Sequence, residues 1–124
     1  MSQVLAIAVG GAIGAVMRYW TSVTVHTALG RGFPYGTLTV NVIGSLLMGY
    51  LFVLFTERLG VGSHWRAGLL VGVLGAFTTF STFSIETVNL MEEGAYVRAI
   101  SNIVVSVIVC VSAAWLGVLL GRQT

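Results

Sequence analysis

Gly75-Ala76-Phe77-Thr78-Thr79-Phe80-Ser81-Thr82-Phe83-Ser84 carries five hydroxyls and three phenylalanines near the middle of an apolar stretch running from about Arg66 to Leu90. Serine and threonine side chains offer the backbone alternative hydrogen bonds, which bend or interrupt a helix. At membrane depth a non-helical backbone is tolerated only when it is buried in protein or lines a water-filled cavity. The run therefore predicts a helix broken near its middle, in a structure that handles an ion. That reading requires the segment to lie in a bilayer.

Composition places it there. Of 124 residues, 56% are hydrophobic and 8% charged, and the mean hydropathy is +0.96, far from soluble globular domains. The charge comes entirely from six arginines and four glutamates. A pI near 9.1 on so few charges reflects membrane topology rather than nucleic-acid binding. Cys110 is the single cysteine and sits in an apolar run, which excludes a disulfide within the chain. No phosphate-binding glycine loop is present, and no nucleophile, base and orienting group fall together, so neither a pump nor an enzyme is expected.

Crossing about 30 Å of hydrocarbon takes roughly 20 helical residues. Four stretches meet that length, approximately residues 3–29, 36–55, 66–90 and 96–120. Gly30-Arg31-Gly32-Phe33-Pro34 separates the first pair, with Pro34 placed to open the second helix. Residues 57–64 form the second loop and Glu92-Glu93-Gly94 the third. The apolar N-terminal stretch lacks a basic leader and outruns a signal peptide, so it reads as the first span. The expectation is an all-α membrane protein: one four-helix transmembrane domain over residues 1–124.

An even number of spans puts both termini on one side. That side carries Arg58, Arg66 and Arg122; the other carries Arg31 and Arg98. Three against two gives almost no orienting bias, which leaves two readings: one orientation set by something the count misses, or copies inserted both ways and joined as an antiparallel dual-topology dimer. Four helices filled by their own side chains also leave little room for a pathway within one chain. Small residues suited to close helix contact abound: Gly10, Gly11, Gly14 and Ala15 in the first span, Gly44, Ser45 and Gly49 in the second.

Polar residues at membrane depth need a partner or a function. Thr37, Asn41, Gly44, Ser45 and Met48 recur at spacings of three and four, which puts them on one helix face. Asn102, Ser106 and Cys110 form a second stripe in the last span, and both can converge on the hydroxyl run. A break there frees carbonyls such as those of Gly75 and Thr78, hard oxygen ligands suited to Na⁺ or K⁺, while half-helix N-termini favour anions. Phe80 and Phe83, three apart, stay near one face, where their electropositive ring edges can guide an anion without a full charge.

These motifs closely resemble the Fluc/CrcB family of fluoride channels. The resemblance rests on Gly36-Thr37-Leu38-Thr39-Val40-Asn41, the run from Gly75 to Ser84, and Gly10-Gly11-Ala12-Ile13-Gly14-Ala15 leading to Arg18, and it covers the whole chain. It implies an antiparallel homodimer in the cytoplasmic (inner) membrane, with two fluoride pores and a central structural Na⁺. By that resemblance Gly75 and Thr78 offer backbone carbonyls to the Na⁺, Phe80 and Phe83 turn ring edges to fluoride, and Asn41 donates a hydrogen bond in the pore. Thr37, Thr82, Glu86 and Ser106 become polar lining; the match is loosest in the last span, at the pore-facing positions Asn102 and Ser106. Arg18 is either a vestibule charge that attracts anions or a structural ion partner for Glu86. The rival is a small dual-topology, proton-coupled multidrug exporter. That class needs a buried carboxylate in the first span, where this chain has none.

Overall fold

The computed structural model describes residues 2–124. Helix α1 runs Ser2–Leu29 and helix α2 Tyr35–Val53, the latter prolonged by π-helical turns over Leu54–Arg58. A short α3, Ser63–Arg66, leads into a π-helical stretch, Ala67–Leu74, and then α4, Gly75–Phe77. Helix α5 is Phe80–Glu92 and α6 is Tyr96–Gln123. Four helical segments are long and apolar enough to cross a membrane: Ser2–Leu29, Tyr35–Arg58, Ser63–Glu92 and Tyr96–Gln123.

The turns are set by residue chemistry. Gly30 (φ +86°) and Gly94 (φ +78°) take left-handed conformations just past α1 and α5, where a side chain would be strained. The Gly30 amide bonds the His26 carbonyl at 2.8 Å, which closes the end of α1. Pro34 precedes Tyr35, and its carbonyl accepts the Leu38 amide at 3.1 Å, the first turn of α2.

Packing follows the small residues. Helix α2 lies chiefly against α6, and α1 against the π-helical stretch. A Cβ on Gly10 would strike the Gly68 carbonyl, and one on Gly14 the Val73 carbonyl, so α1 meets the third span backbone to backbone. Gly49 meets Ala114 in the same manner, and Gly117 meets Leu46. Gly10, Gly14 and Gly49 are thus consumed by contacts within one chain, whereas Gly11 faces open space. The stretch that Gly10 and Gly14 meet is the π-helical one, Ala67–Leu74.

Only 11–22% of the apolar window of each span is buried. Val40, Val53, Leu74, Phe77, Phe83, Leu90 and Ala99 form the apolar core, while Val, Leu, Ile and Trp side chains cover the outside. In water such a surface would drive association; around a bilayer it meets lipid.

Candidate functional site

Helical geometry stops at Phe77 and resumes at Phe80. Thr78 (φ −89°, ψ 160°) and Thr79 (φ −154°, ψ 118°) are extended between them. Several of the backbone groups freed there find specific partners. The Thr79 amide donates to Asn41 Oδ1 at 2.8 Å, and Asn41 Nδ2 donates to the Thr79 carbonyl at 3.1 Å. One carboxamide therefore satisfies both polar groups of an extended residue, as a neighbouring strand would. The Thr79 hydroxyl caps α5 by accepting the Thr82 amide at 3.2 Å, and it donates to Thr82 Oγ1 at 3.0 Å. Arg18 Nε donates to the Ala76 carbonyl at 3.0 Å, placing a cation on the carbonyl end of the half-helix.

The Arg18–Glu86 ion pair entertained from the sequence is not formed. The Arg18 Nε goes instead to the Ala76 carbonyl, and the ion pair found among the described residues is Arg122–Glu57 at 3.6 Å, between exposed side chains. Glu86 borders a cleft of about 210 Å³ with His26, Arg31, Asn89 and Glu93. Its Oε1 is buried without a hydrogen-bond partner.

A cavity of about 390 Å³ opens beside the interruption, lined by Asn41, Ser45, Thr78, Phe80, Phe83 and Ser106 among others. Phe80 is 76% exposed and Phe83 only 8%, with ring centroids 5.3 Å apart and planes tilted by 43°. The cavity is therefore a groove whose inner wall is Phe83 and whose outer lip is Phe80. From the second span, Asn41, Gly44, Ser45 and Met48 reach it, as their shared face requires. Thr37 does not: it is buried one turn earlier, outside the lining. Thr82 stands behind the Thr79 hydroxyl.

Asn102 departs from its expected pore-facing position. It is 1% exposed and points between α5 and α6, where Nδ2 donates to Thr87 Oγ1 at 2.9 Å. Ser106, 7% exposed, donates to Asn102 Oδ1 at 3.2 Å, and Thr87 donates to the Phe83 carbonyl at 2.8 Å. A three-and-four spacing marks a stripe, but it does not say which residue at its edge rotates toward the neighbouring helix. Arg18 was likewise legible as a charge at depth, and its carbonyl partner was not.

The oxygens offered by Gly75 and Thr78 fit a hard monovalent cation. The amide that would close a helical turn on the Gly75 carbonyl is that of Thr79, which goes to Asn41. The corresponding amide for Thr78 is that of Thr82, which goes to the Thr79 hydroxyl. Both carbonyls are released by the same interruption, and Gly75 lies exposed on the outer face of the chain. Neutral carbonyl oxygen suits Na⁺ or K⁺ and provides no soft ligand for a transition metal.

Similarity to known proteins extends over nearly the whole chain. Residues 5–118 match the family described as CrcB-like protein, Camphor Resistance (CrcB). A fluoride-specific ion channel FluC of Magnetococcus marinus is 56% identical over 120 residues, covering 97% of this chain and 98% of that protein. A protein of the same name from Coxiella burnetii is 53% identical over 122 residues, covering 98% of each. One from Geobacter metallireducens is 44% identical over 123 residues, covering 99% of each.

Proposed function

Because this chain belongs to the CrcB family, we propose that it is a fluoride-selective channel, a passive conductor rather than an enzyme, that lets F⁻ leave the cytoplasm and so lowers cellular fluoride. The observation that carries the reading is the groove at the interruption. It brings a carboxamide, hydroxyls and the edges of two phenylalanines to one place in an apolar span, with no fixed cationic side chain in its lining.

Fluoride is small and tightly hydrated, so a selective path replaces its water with donors and yet releases it. Asn41 spends one Nδ2 hydrogen and its oxygen on Thr79, which leaves the second hydrogen for an anion. Phe80 and Phe83 offer ring edges, whose partial positive charge attracts without trapping. Ser106 supplies a hydroxyl in the groove lining, Thr82 acts through the Thr79 hydroxyl it bonds, and Glu86 forms polar lining further along α5. Arg18 acts at a distance, since its guanidinium is tethered to Ala76.

The exposed lip of the groove and the near-neutral arginine balance support an antiparallel dual-topology homodimer in the cytoplasmic membrane, each copy closing the other's groove. In that assembly the carbonyls of Gly75 and Thr78 from both copies would hold Na⁺ at the interface. When bound, Na⁺ supplies positive charge that fixes the two interruptions to one another. The multidrug-exporter alternative is disfavoured by family membership and by the absence of an acidic residue in Ser2–Leu29.

The test is fluoride efflux from liposomes containing the purified protein, read with a fluoride electrode. Rapid efflux of fluoride without chloride, slowed about tenfold or more by Phe80→Ile, is expected. No fluoride efflux, or a Phe80→Ile variant as fast as the parent, would refute the reading.

A further inference from the structure

Asn102 has no place in the pathway just described, yet it is the most deeply buried polar side chain near it. The polarity of its hydrogen bonds is fixed from one end. The Phe83 carbonyl can only accept, so the Thr87 hydroxyl donates to it at 2.8 Å. Thr87 Oγ1 then presents lone pairs and must face the amide nitrogen of Asn102, at 2.9 Å. Asn102 Oδ1 is thereby turned to Ser106, whose single hydroxyl hydrogen it accepts at 3.2 Å. Thr87, Asn102 and Ser106 are 4%, 1% and 7% exposed, so water does not compete for these bonds. Ser106 is also part of the groove lining. With its hydrogen directed to Asn102, it offers the groove lone pairs, which repel an anion.

From this geometry we infer that Asn102 is a positioning residue that sets how weakly the groove holds an anion, by competing for the Ser106 hydrogen. The inference rests on the fluoride-channel reading above. When fluoride reaches Ser106, the hydroxyl turns from Asn102 Oδ1 to the ion, and a buried carbonyl oxygen is left without a donor. That loss opposes binding, and it is recovered when the ion moves on. Selective entry and rapid exit are both served, because the donor is available but its use is penalised.

The experiment measures fluoride efflux against fluoride concentration for the purified protein in liposomes, with chromatographic checks that each variant keeps the parent's assembly. Asn102→Leu removes the competing acceptor at similar volume. The half-saturating fluoride concentration is expected to fall about tenfold, and the maximal rate to fall with it as exit slows. In a Ser106→Ala background that shift vanishes, since no hydrogen remains to be contested. A merely structural role would lower the maximal rate with half-saturation unchanged, in either background, and would overturn the inference. So would an Asn102→Leu shift that persists without the Ser106 hydroxyl. Should Asn102→Leu fail to assemble, Asn102→Ala, which removes the same acceptor without adding charge, is compared in the two backgrounds in the same way. Absence of efflux from the unsubstituted protein would instead refute the channel reading itself.

Discussion

Asn41 uses one carboxamide both to accept from the Thr79 amide, which the interruption deprives of its helical partner, and to donate to the Thr79 carbonyl, and few other side chains could do so. Aspartate would accept from the Thr79 amide but could not donate to its carbonyl; leucine would do neither. Asn41→Leu should therefore destabilise the protein by about 2 kcal/mol through unsatisfied backbone groups, with Asn41→Asp intermediate. Thermal unfolding in detergent checks the order, and fluoride efflux should fall at least about tenfold for Asn41→Leu. Arg18 repeats the principle at the carbonyl side. Arg18→Met should cost about 1–2 kcal/mol by removing a charged donor from the Ala76 carbonyl, whereas Glu86→Gln should leave Arg18 undisturbed, because the two are not partners. What the sequence told at this scale was residue type and depth. Asn41, Phe80 and Phe83 could be placed because each lies on a face that the hydroxyl run shares. The partners of Arg18 and Asn102 could not, since both depend on how one helix rotates against another, which no spacing within a single helix records.

At the scale of the element, the close approach of α1 to the third span explains which glycines are indispensable. Gly10 and Gly14 each face a carbonyl of the π-helical stretch, and backbone cannot move aside as a flexible side chain can. Gly10→Ala and Gly14→Ala should each cost about 1–3 kcal/mol by overpacking, while Gly11→Ala, with nothing within 4 Å, should be neutral to within about 0.5 kcal/mol. Gly44 is a different case, for a Cβ there would meet the Thr78 Cγ2 methyl rather than backbone. Gly44→Ala should therefore disturb the interruption itself, and Thr78→Ser should rescue it, because serine lacks that methyl and keeps the hydroxyl that bonds the Leu74 carbonyl at 3.1 Å. Melting temperatures of the two single variants and the double variant give the coupling directly. The four spans were legible from apolar length alone. The π-helical turns were not, since Gly68 and Gly72 read equally well as ordinary small residues until the α1 backbone is seen against them.

For the whole molecule the open question is orientation, which follows from charge rather than from packing. Arg58, Arg66 and Arg122 on the terminal side nearly balance Arg31 and Arg98 on the other, so inserting machinery has little to read. The balance is also easy to tip. Gly60 and Gly62 face open space in the second loop, and a Cβ at Gly32 would lie 4.0 Å from its nearest neighbour, Arg98. The double variant Gly60→Arg with Gly62→Arg loads the terminal side, and Gly32→Arg with Glu92→Arg loads the other. Neither pair touches the groove. If the working unit is an antiparallel pair, each variant produced alone should adopt one orientation and pass little fluoride, with efflux reduced about tenfold or more. Produced together, they should restore it, because each supplies the orientation that the other lacks. C-terminal reporters active on opposite sides of the membrane report orientation, and efflux from vesicles reports function. Full activity from either variant inserted in a single orientation would show that copies facing the same way suffice, and the antiparallel assembly would have to be abandoned.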